Sequence, residues 1–439
     1  MLKCNQINRF WANSVRYFST SSFSCTKFEK SKNVPLFAAI ELKNKALVRV
    51  SGPGSFIYLQ SLLTNDLRKL LNPIESPENV QNECQYSIYS YLLSAVGRVL
   101  CDMFIYRGRF LVDGDYIIEV DKYLANSLKR LLLGYNLKRD ISVDFADEFK
   151  LWSVIPYSMI ENSGQIQEVN DNDSIEQLQT FDSDDIKLVA DPRVGSKFFG
   201  YRLLTRLGGL RIQDIGSIIK CQSKNKKIKL MELSVGDYNR LKYQLGLAEG
   251  HNDILSGFYY PFELNGDYIN AISLNKGLYV SEEKVIRTYS KQPVVKRLFP
   301  IEFICSNQLL KKLVPAPRTF ISLKSNRKRL GILFQRYGRY GIASLTVPMI
   351  NNFSVNSIDY RNNPFPSLIH SDTGIRLKAR IPLWWPKNYT EIFLNPPNYP
   401  DCLFDFESNR RENEPLSDEQ IIHTFTKHEN NIEYNFFNR

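Results

Sequence analysis

No two cysteines in this chain stand at C-x-x-C spacing, and no tight Cys/His cluster exists. The seven cysteines (Cys4, Cys25, Cys84, Cys101, Cys221, Cys305 and Cys402) are scattered along 439 residues. That scatter argues against a disulfide framework and against a zinc or iron–sulfur site held by local spacing; no metal site is predicted. It fits a reducing compartment. No apolar run approaches the roughly 20 residues that span a bilayer, so no transmembrane helix is predicted. Acidic residues are missing from residues 1–28.

That acid-free segment carries Lys3, Arg9, Arg16 and Lys27, several serines, and apolar Leu2, Ile7, Phe10, Trp11 and Val15. Wound as a helix, it would show one apolar and one basic face, the composition of a mitochondrial transit peptide. Arg16-Tyr17-Phe18-Ser19 has the form of a matrix-peptidase site, cut after Phe18. The same composition also suits a disordered basic tail. Over the whole chain, 43% hydrophobic and 23% charged residues describe a soluble globular protein with room for two or three domains. The net charge is +11. We read the excess as lying in the first residues and in Lys220, Lys224, Lys226, Lys227 and Lys229, a solvated loop rather than a groove that tracks phosphates. No nucleic-acid partner is predicted.

The stretch 275–287 organises the reading. Gly277 permits a sharp turn or a close approach to a ligand. Ser281 is placed to cap a helix with Glu282 and Glu283 in its first turn, where acid suits the dipole. With Tyr279, these residues would line a pocket, although the same pattern fits an ordinary strand–turn–helix joint.

The chain before it reads as α+β. A strand at 46–50 and the turn Ser51-Gly52-Pro53-Gly54 lead to a helix with Phe56, Leu59, Leu62 and Leu63 at helical spacing, ended by Thr64-Asn65-Asp66. Segments 86–93 and 98–106 form a predicted hairpin around Ser94-Ala95-Val96-Gly97. Further strands are expected at 116–120, 141–145 and 151–155, and an amphipathic helix at 122–135. Residues 161–185 are rich in Asp, Glu, Asn, Gln and Ser and are expected to form a loosely ordered insert. A helix at 234–246 is expected to use Ser234 and Asp237 as a partial capping box and Gly246 as its stop. Strands at 294–304, 319–323, 330–334, 342–347 and 375–381 predict a small C-terminal β-barrel or sandwich. The polar segment 408–439 reads as a flexible tail.

Lys276-Gly277-Leu278-Tyr279-Val280-Ser281-Glu282-Glu283 resembles the Lys-Gly-Cys-Tyr-x-Gly-Gln-Glu signature of the YgfZ-type folate-binding proteins, relatives of the glycine-cleavage aminomethyltransferase (T-protein). Leu278 stands where the family has cysteine, Ser281 where it has glycine and Glu282 where it has glutamine. Leucine offers neither a nucleophile nor a soft metal ligand, though it would keep apolar packing. Other family-like pieces follow in order: Leu62-Leu63-Thr64-Asn65-Asp66, the hairpin with Cys101-Asp102, Asp191-Pro192-Arg193, Gly200-Tyr201-Arg202, Pro261-Phe262-Glu263, and Pro382-Leu383-Trp384-Trp385-Pro386.

The resemblance implies a T-protein/YgfZ-like fold of several subdomains over 37–290, with the barrel at 291–390. It implies tetrahydrofolate as ligand, with Glu263 gripping the pterin edge, Tyr279 stacking on the ring, Asp102 as a pocket acid, and Arg202 or Arg193 holding a glutamate tail or carboxylate. It further implies a mitochondrial matrix protein that supports the maturation of 4Fe-4S proteins alongside A-type scaffold proteins. Three functions stay apart: an assembly factor that binds partners, a folate-dependent aminomethyl or one-carbon transferase with Asp102 as its acid, and a binding module whose pocket has decayed. Each named residue also has a structural reading as a solvated acid or an ordinary salt bridge.

Overall fold

A computed structural model of the chain describes residues 35–70, 86–107, 115–136, 140–161, 177–208, 211–221, 227–291, 294–347, 365 and 367–386. The expected transit peptide at 1–28, the tail at 408–439, and Cys4, Cys25, Cys84 and Cys402 lie outside them. Seventeen strands are found among the described residues. β1 (Leu36–Glu41) opens the fold. β2 (Lys45–Ser51), β3 (Ser87–Leu93), β4 (Val99–Tyr106), β5 (Tyr116–Asp121) and β6 (Ser142–Phe145) make a sheet in the order β3-β4-β5-β2-β6. β7 (Phe149–Pro156), β8 (Phe181–Asp182), β9 (Ile186–Ala190), β10 (Tyr201–Arg206) and β11 (Lys229–Glu232) join β1 in a second sheet, ordered β11-β1-β7-β10-β9-β8.

The apolar strands of the first sheet are buried on both faces, which is why they do not alternate with polar residues. Met103 and Ile105 of β4 and Ile118 and Val120 of β5 pack under helices α1 (Ser55–Leu62) and α2 (Ala125–Tyr135). On the opposite face, Phe104, Tyr106 and Ile117 enter a core shared with Ala38, Ile40, Leu151 and Leu204 of the second sheet. Burying both faces this way fixes the register, since a slip of one residue would turn Asp102 and Glu119 into the helix layer. The predicted hairpin is present, with Tyr91 opposite Asp102. β4 lies between β3 and β5. Asp102 is therefore in the middle of a sheet and buried, not the edge aspartate that its structural reading assumed.

Of the insert expected at 161–185, residues 162–176 lie outside the described residues and 177–185 are described. Phe181 pairs with Leu188 across β8 and β9, and Leu178 is buried. Phe181 and Asp182 thus form the edge of the second sheet, and Leu178 bridges Cys221. Gly200 shows why glycine precedes Tyr201: its φ is +81°, and a Cβ there would lie 2.3 Å from the carbonyl oxygen of Val154.

β12 (Lys296–Ile304), β13 (Phe320–Leu323), β14 (Arg329–Tyr337), β15 (Tyr340–Thr346), β16 (Leu368–His370) and β17 (Arg376–Ala379) close into a barrel, every pair antiparallel. Closure leaves no exposed edge. Phe299, Phe303, Leu333, Phe365 and Trp385 fill the interior. The barrel also corrects the charge reading. Residues 294–386 carry fifteen Lys and Arg against three acids, an excess of twelve in a chain whose total is +11. The barrel segment is thus the larger source of positive charge, beside the five lysines of Lys220–Lys229.

Candidate functional site

The signature loop is held by its lysine. Lys276 is buried, and its Nζ donates to the carbonyl oxygens of Gln60, at 2.5 Å, and Leu63. It thereby caps the C-terminal end of α1, where a cation is favoured. Burial pulls its ammonium down to about 8 from 10.5. The same ammonium lies 4.7 Å from the centre of the Tyr279 ring.

Tyr279 is 9% exposed and belongs to the shared core, so one face of its ring is already taken by Lys276. Gly277 has φ +94° with nothing within 4 Å of a Cβ position. Leu278 is 88% exposed. It keeps no apolar packing, contrary to expectation, because the anchored Lys276 and buried Tyr279 on either side turn it outward.

Ser281 does not cap the following helix, α7 (Glu282–Lys291). Its φ is +65°, and its hydroxyl donates to the carbonyl of Ser94 in the β3–β4 turn, 2.8 Å away. A helix cap needs an extended backbone, and Ser281 instead keeps the left-handed geometry that suits a glycine. Ser234 likewise caps with no side-chain bond; its hydroxyl donates to Asp237 Oδ2 at 2.7 Å.

Behind the loop, a buried ionic network ties the two sheets together. Glu249 accepts from Lys45 at 2.8 Å, Arg193 at 2.7 Å, Arg202 at 2.9 Å and the Tyr238 hydroxyl at 2.6 Å. Burial alone would raise its carboxyl, but Lys45, Arg202 and Arg193 hold it well below the usual range. Arg193 also forks onto Asp191, and Arg202 lies 4.2 Å from the Phe104 ring centre. Glu119 accepts from Tyr106 at 2.5 Å, and Lys242 reaches Asp253 at 2.6 Å. Asp102 accepts from the Tyr89 hydroxyl and from the Gly250 N–H, both at 3.0 Å. Burial raises its carboxyl, opposed by Lys45 and supported by Glu249.

Beside this network lies a cavity of about 500 Å³. Its walls come from the start of β3 (Tyr86, Ser87), from the Asp191-Pro192-Arg193 turn with Gly195 and Phe198, from Tyr268 and Asn270, and from Trp384 of the Trp-Trp motif. Four aromatic rings thus face a hollow with hydroxyl and amide groups between them. The Tyr268 hydroxyl is buried without a hydrogen-bond partner. Burial pushes that phenol up to about 12. The volume falls within the usual range for a small-molecule site.

The cavity and the predicted residues coincide only in part. Arg193 lines it, but its guanidinium is committed to Asp191 and Glu249. Arg202 and Asp102 sit in the network behind it and do not line it. Glu263 lies on the short turn Pro261–Leu264, where its Oε2 accepts from the Tyr260 N–H at 2.9 Å. Burial raises this carboxyl. Neither Glu263 nor Tyr279 lines this cavity, and Glu283 is exposed on α7.

Sequence reasoning passed over Glu249, Glu119 and Lys45. A lone carboxylate inside the apolar run Tyr116-Ile117-Ile118-Glu119-Val120 was the available signal for one of them. Of the other thiols, Cys101 and Cys221 are buried and Cys305 is half-buried. Burial pushes the Cys101 thiol far up, which removes its reactivity. Among the described residues, no three His, Cys, Asp or Glu side chains are placed to hold a metal ion. No helix among them is long and apolar enough to cross a membrane.

Comparison with known proteins agrees with this geometry. Residues 296–387 match the family model described as the CAF17 C-terminal beta-barrel domain. The chain is 25% identical to the mouse (Mus musculus) mitochondrial iron–sulfur cluster assembly factor IBA57 and 27% to the human (Homo sapiens) protein. Both matches cover 80% of this chain and 86% of the relative. The solved glycine cleavage system aminomethyltransferase T from Bartonella henselae superposes with a TM-score of 0.52 at 14% identity, over 80% of this chain and 86% of that one. The chain thus has IBA57 homologues over most of its length, the fold of the glycine-cleavage aminomethyltransferase and a barrel similar to the C-terminal domain of CAF17.

Proposed function

We propose that this chain is an iron–sulfur cluster assembly factor of the mitochondrion that works by holding partners rather than by covalent chemistry. The observation that carries the reading is the similarity to relatives of that name across four-fifths of the chain. In finer terms, it acts in the matrix, beside A-type scaffold proteins, in the maturation of 4Fe-4S proteins. The loop that fixes Lys276 and exposes Leu278 is a rigid platform without a thiol, so any cluster passing it is ligated by the partner's cysteines.

Tetrahydrofolate is the ligand we assign to the aromatic cavity. Tyr86, Phe198 and Trp384 supply apolar walls for a bicyclic ring, and Ser87 and Asn270 supply polar groups beside them. Folate here is a bound ligand, not a reactant. A one-carbon transferase needs an acid within reach of the folate nitrogen, and the Asp102 carboxyl is sealed between Tyr89 and Gly250.

The cluster role is tested in a cell depleted of its own assembly factor. The wild-type chain should restore protein lipoylation, and lipoylation that stays low removes the role. Titration with tetrahydrofolate tests the cavity: Thr180→Trp at its exposed rim should weaken binding about tenfold. Full affinity in that variant with loss in Glu263→Ala would move the ring to the Pro261–Leu264 turn.

A further inference from the structure

Residues 294–386 carry an excess of twelve positive charges, and at one place on the barrel that charge surrounds exposed aliphatic side chains. β12 ends at Ile304, and Ser306 caps helix α8 (Asn307–Lys312) by accepting from the Leu309 N–H. Ile304, Leu309, Leu313 and Val314 are exposed along this short segment. Lys311 and Lys312 stand between the last three and are exposed as well.

Three arginines join them. Arg376 is directly opposite Ile304 across β12 and β17. Arg336 donates to the Pro315 carbonyl, and Arg339 donates to the Asn307 side chain. Acid is scarce: Glu302 is engaged by Arg380 at 2.6 Å and lies 3.8 Å from Arg339. Lysines in the last turn of α8 satisfy the helix dipole, but a dipole accounts for one or two cations, not an excess of twelve over 294–386.

We propose that this end of the barrel docks on an anionic lipid surface. The aliphatic side chains enter the headgroup boundary, and the lysine and arginine stems lie along them with their charges at phosphate level. The apolar residues decide between partners. A nucleic acid would call for aromatic stacking platforms, and Ile304, Leu309, Leu313 and Val314 offer none. A purely electrostatic contact with an acidic protein would not call for four exposed aliphatic side chains. The surface lies on the barrel, and none of its residues lines the aromatic cavity.

Flotation of the full chain with vesicles tests this. Vesicles of phosphatidylcholine alone should not bind it, and vesicles with about 30 mol% phosphatidylglycerol should, at roughly 0.15 M salt. Lys311→Glu/Lys312→Glu should lower the bound fraction about tenfold, and Leu309→Ser/Leu313→Ser about fivefold, each with the wild-type thermal midpoint. Wild-type binding by the charge-reversed pair would overturn the proposal and place adhesion elsewhere, for instance in the basic segment 1–28. Wild-type binding by the serine pair would overturn it too, leaving a general polyanion site. Absence of binding to anionic vesicles would overturn it outright.

Discussion

Lys276 Nζ lies 2.5 Å from the carbonyl oxygen of Gln60, 216 positions away in sequence. This contact fixes the signature loop against the end of α1 and faces the Tyr279 ring from the other side. The first residue of the signature motif is thereby the bolt that holds the loop.

Lys276→Met removes two bonds from a charged donor to buried carbonyls and should cost about 2 kcal/mol of stability. The effect depends on pH. The native lysine titrates at about 8, and the unfolded one at 10.5. Between those values the unfolded chain holds more protons, so the stability contributed at this position rises with pH across that window. Urea unfolding of both proteins below pH 8 and near pH 10.5 should show the wild-type advantage growing.

Ser281 combines a left-handed backbone with one useful hydroxyl bond. Ser281→Ala loses the bond to Ser94 and keeps the strain. Ser281→Gly loses the same bond and relieves the strain. The glycine variant should therefore be the more stable of the two by about 1 kcal/mol, read as the difference in their denaturant midpoints.

Glu249 neutralises Lys45, Arg193 and Arg202 in a site that water does not reach. Glu249→Gln removes the carboxylate these three cations share, leaves the buried cluster short of one negative charge although Asp191 and Glu119 remain beside the arginines, and should cost about 3–5 kcal/mol in chemical unfolding. Its native carboxyl is depressed, so its contribution is present above the ordinary value of 4.5 and is lost as pH falls through the native one. The variant should show a flatter loss of stability on acidification than the wild type.

Much of the fold was legible because the signals were local. The β3–β4 hairpin followed from two apolar runs around a glycine turn, and the barrel from regularly spaced short strands. β16 was missed because three residues between turns give no periodicity. The site was less legible for a different reason. Asp102, Arg202 and Glu263 were chosen by motif, but motif says nothing about which partner will reach a side chain first. Arg202 meets Glu249, a residue outside every motif, and Glu263 meets the backbone of its own turn. Cavity walls drawn from Tyr86, Phe198, Tyr268 and Trp384 depend on long-range closure, which only the fold displays.

The most direct test concerns the missing thiol. Aconitase activity is measured in cells that lack their own assembly factor and express either the wild-type chain or Leu278→Cys. The predicted result is equal recovery with both, because Leu278 is part of a platform and not a ligand. Recovery with Leu278→Cys alone, and none with the wild type, would contradict it.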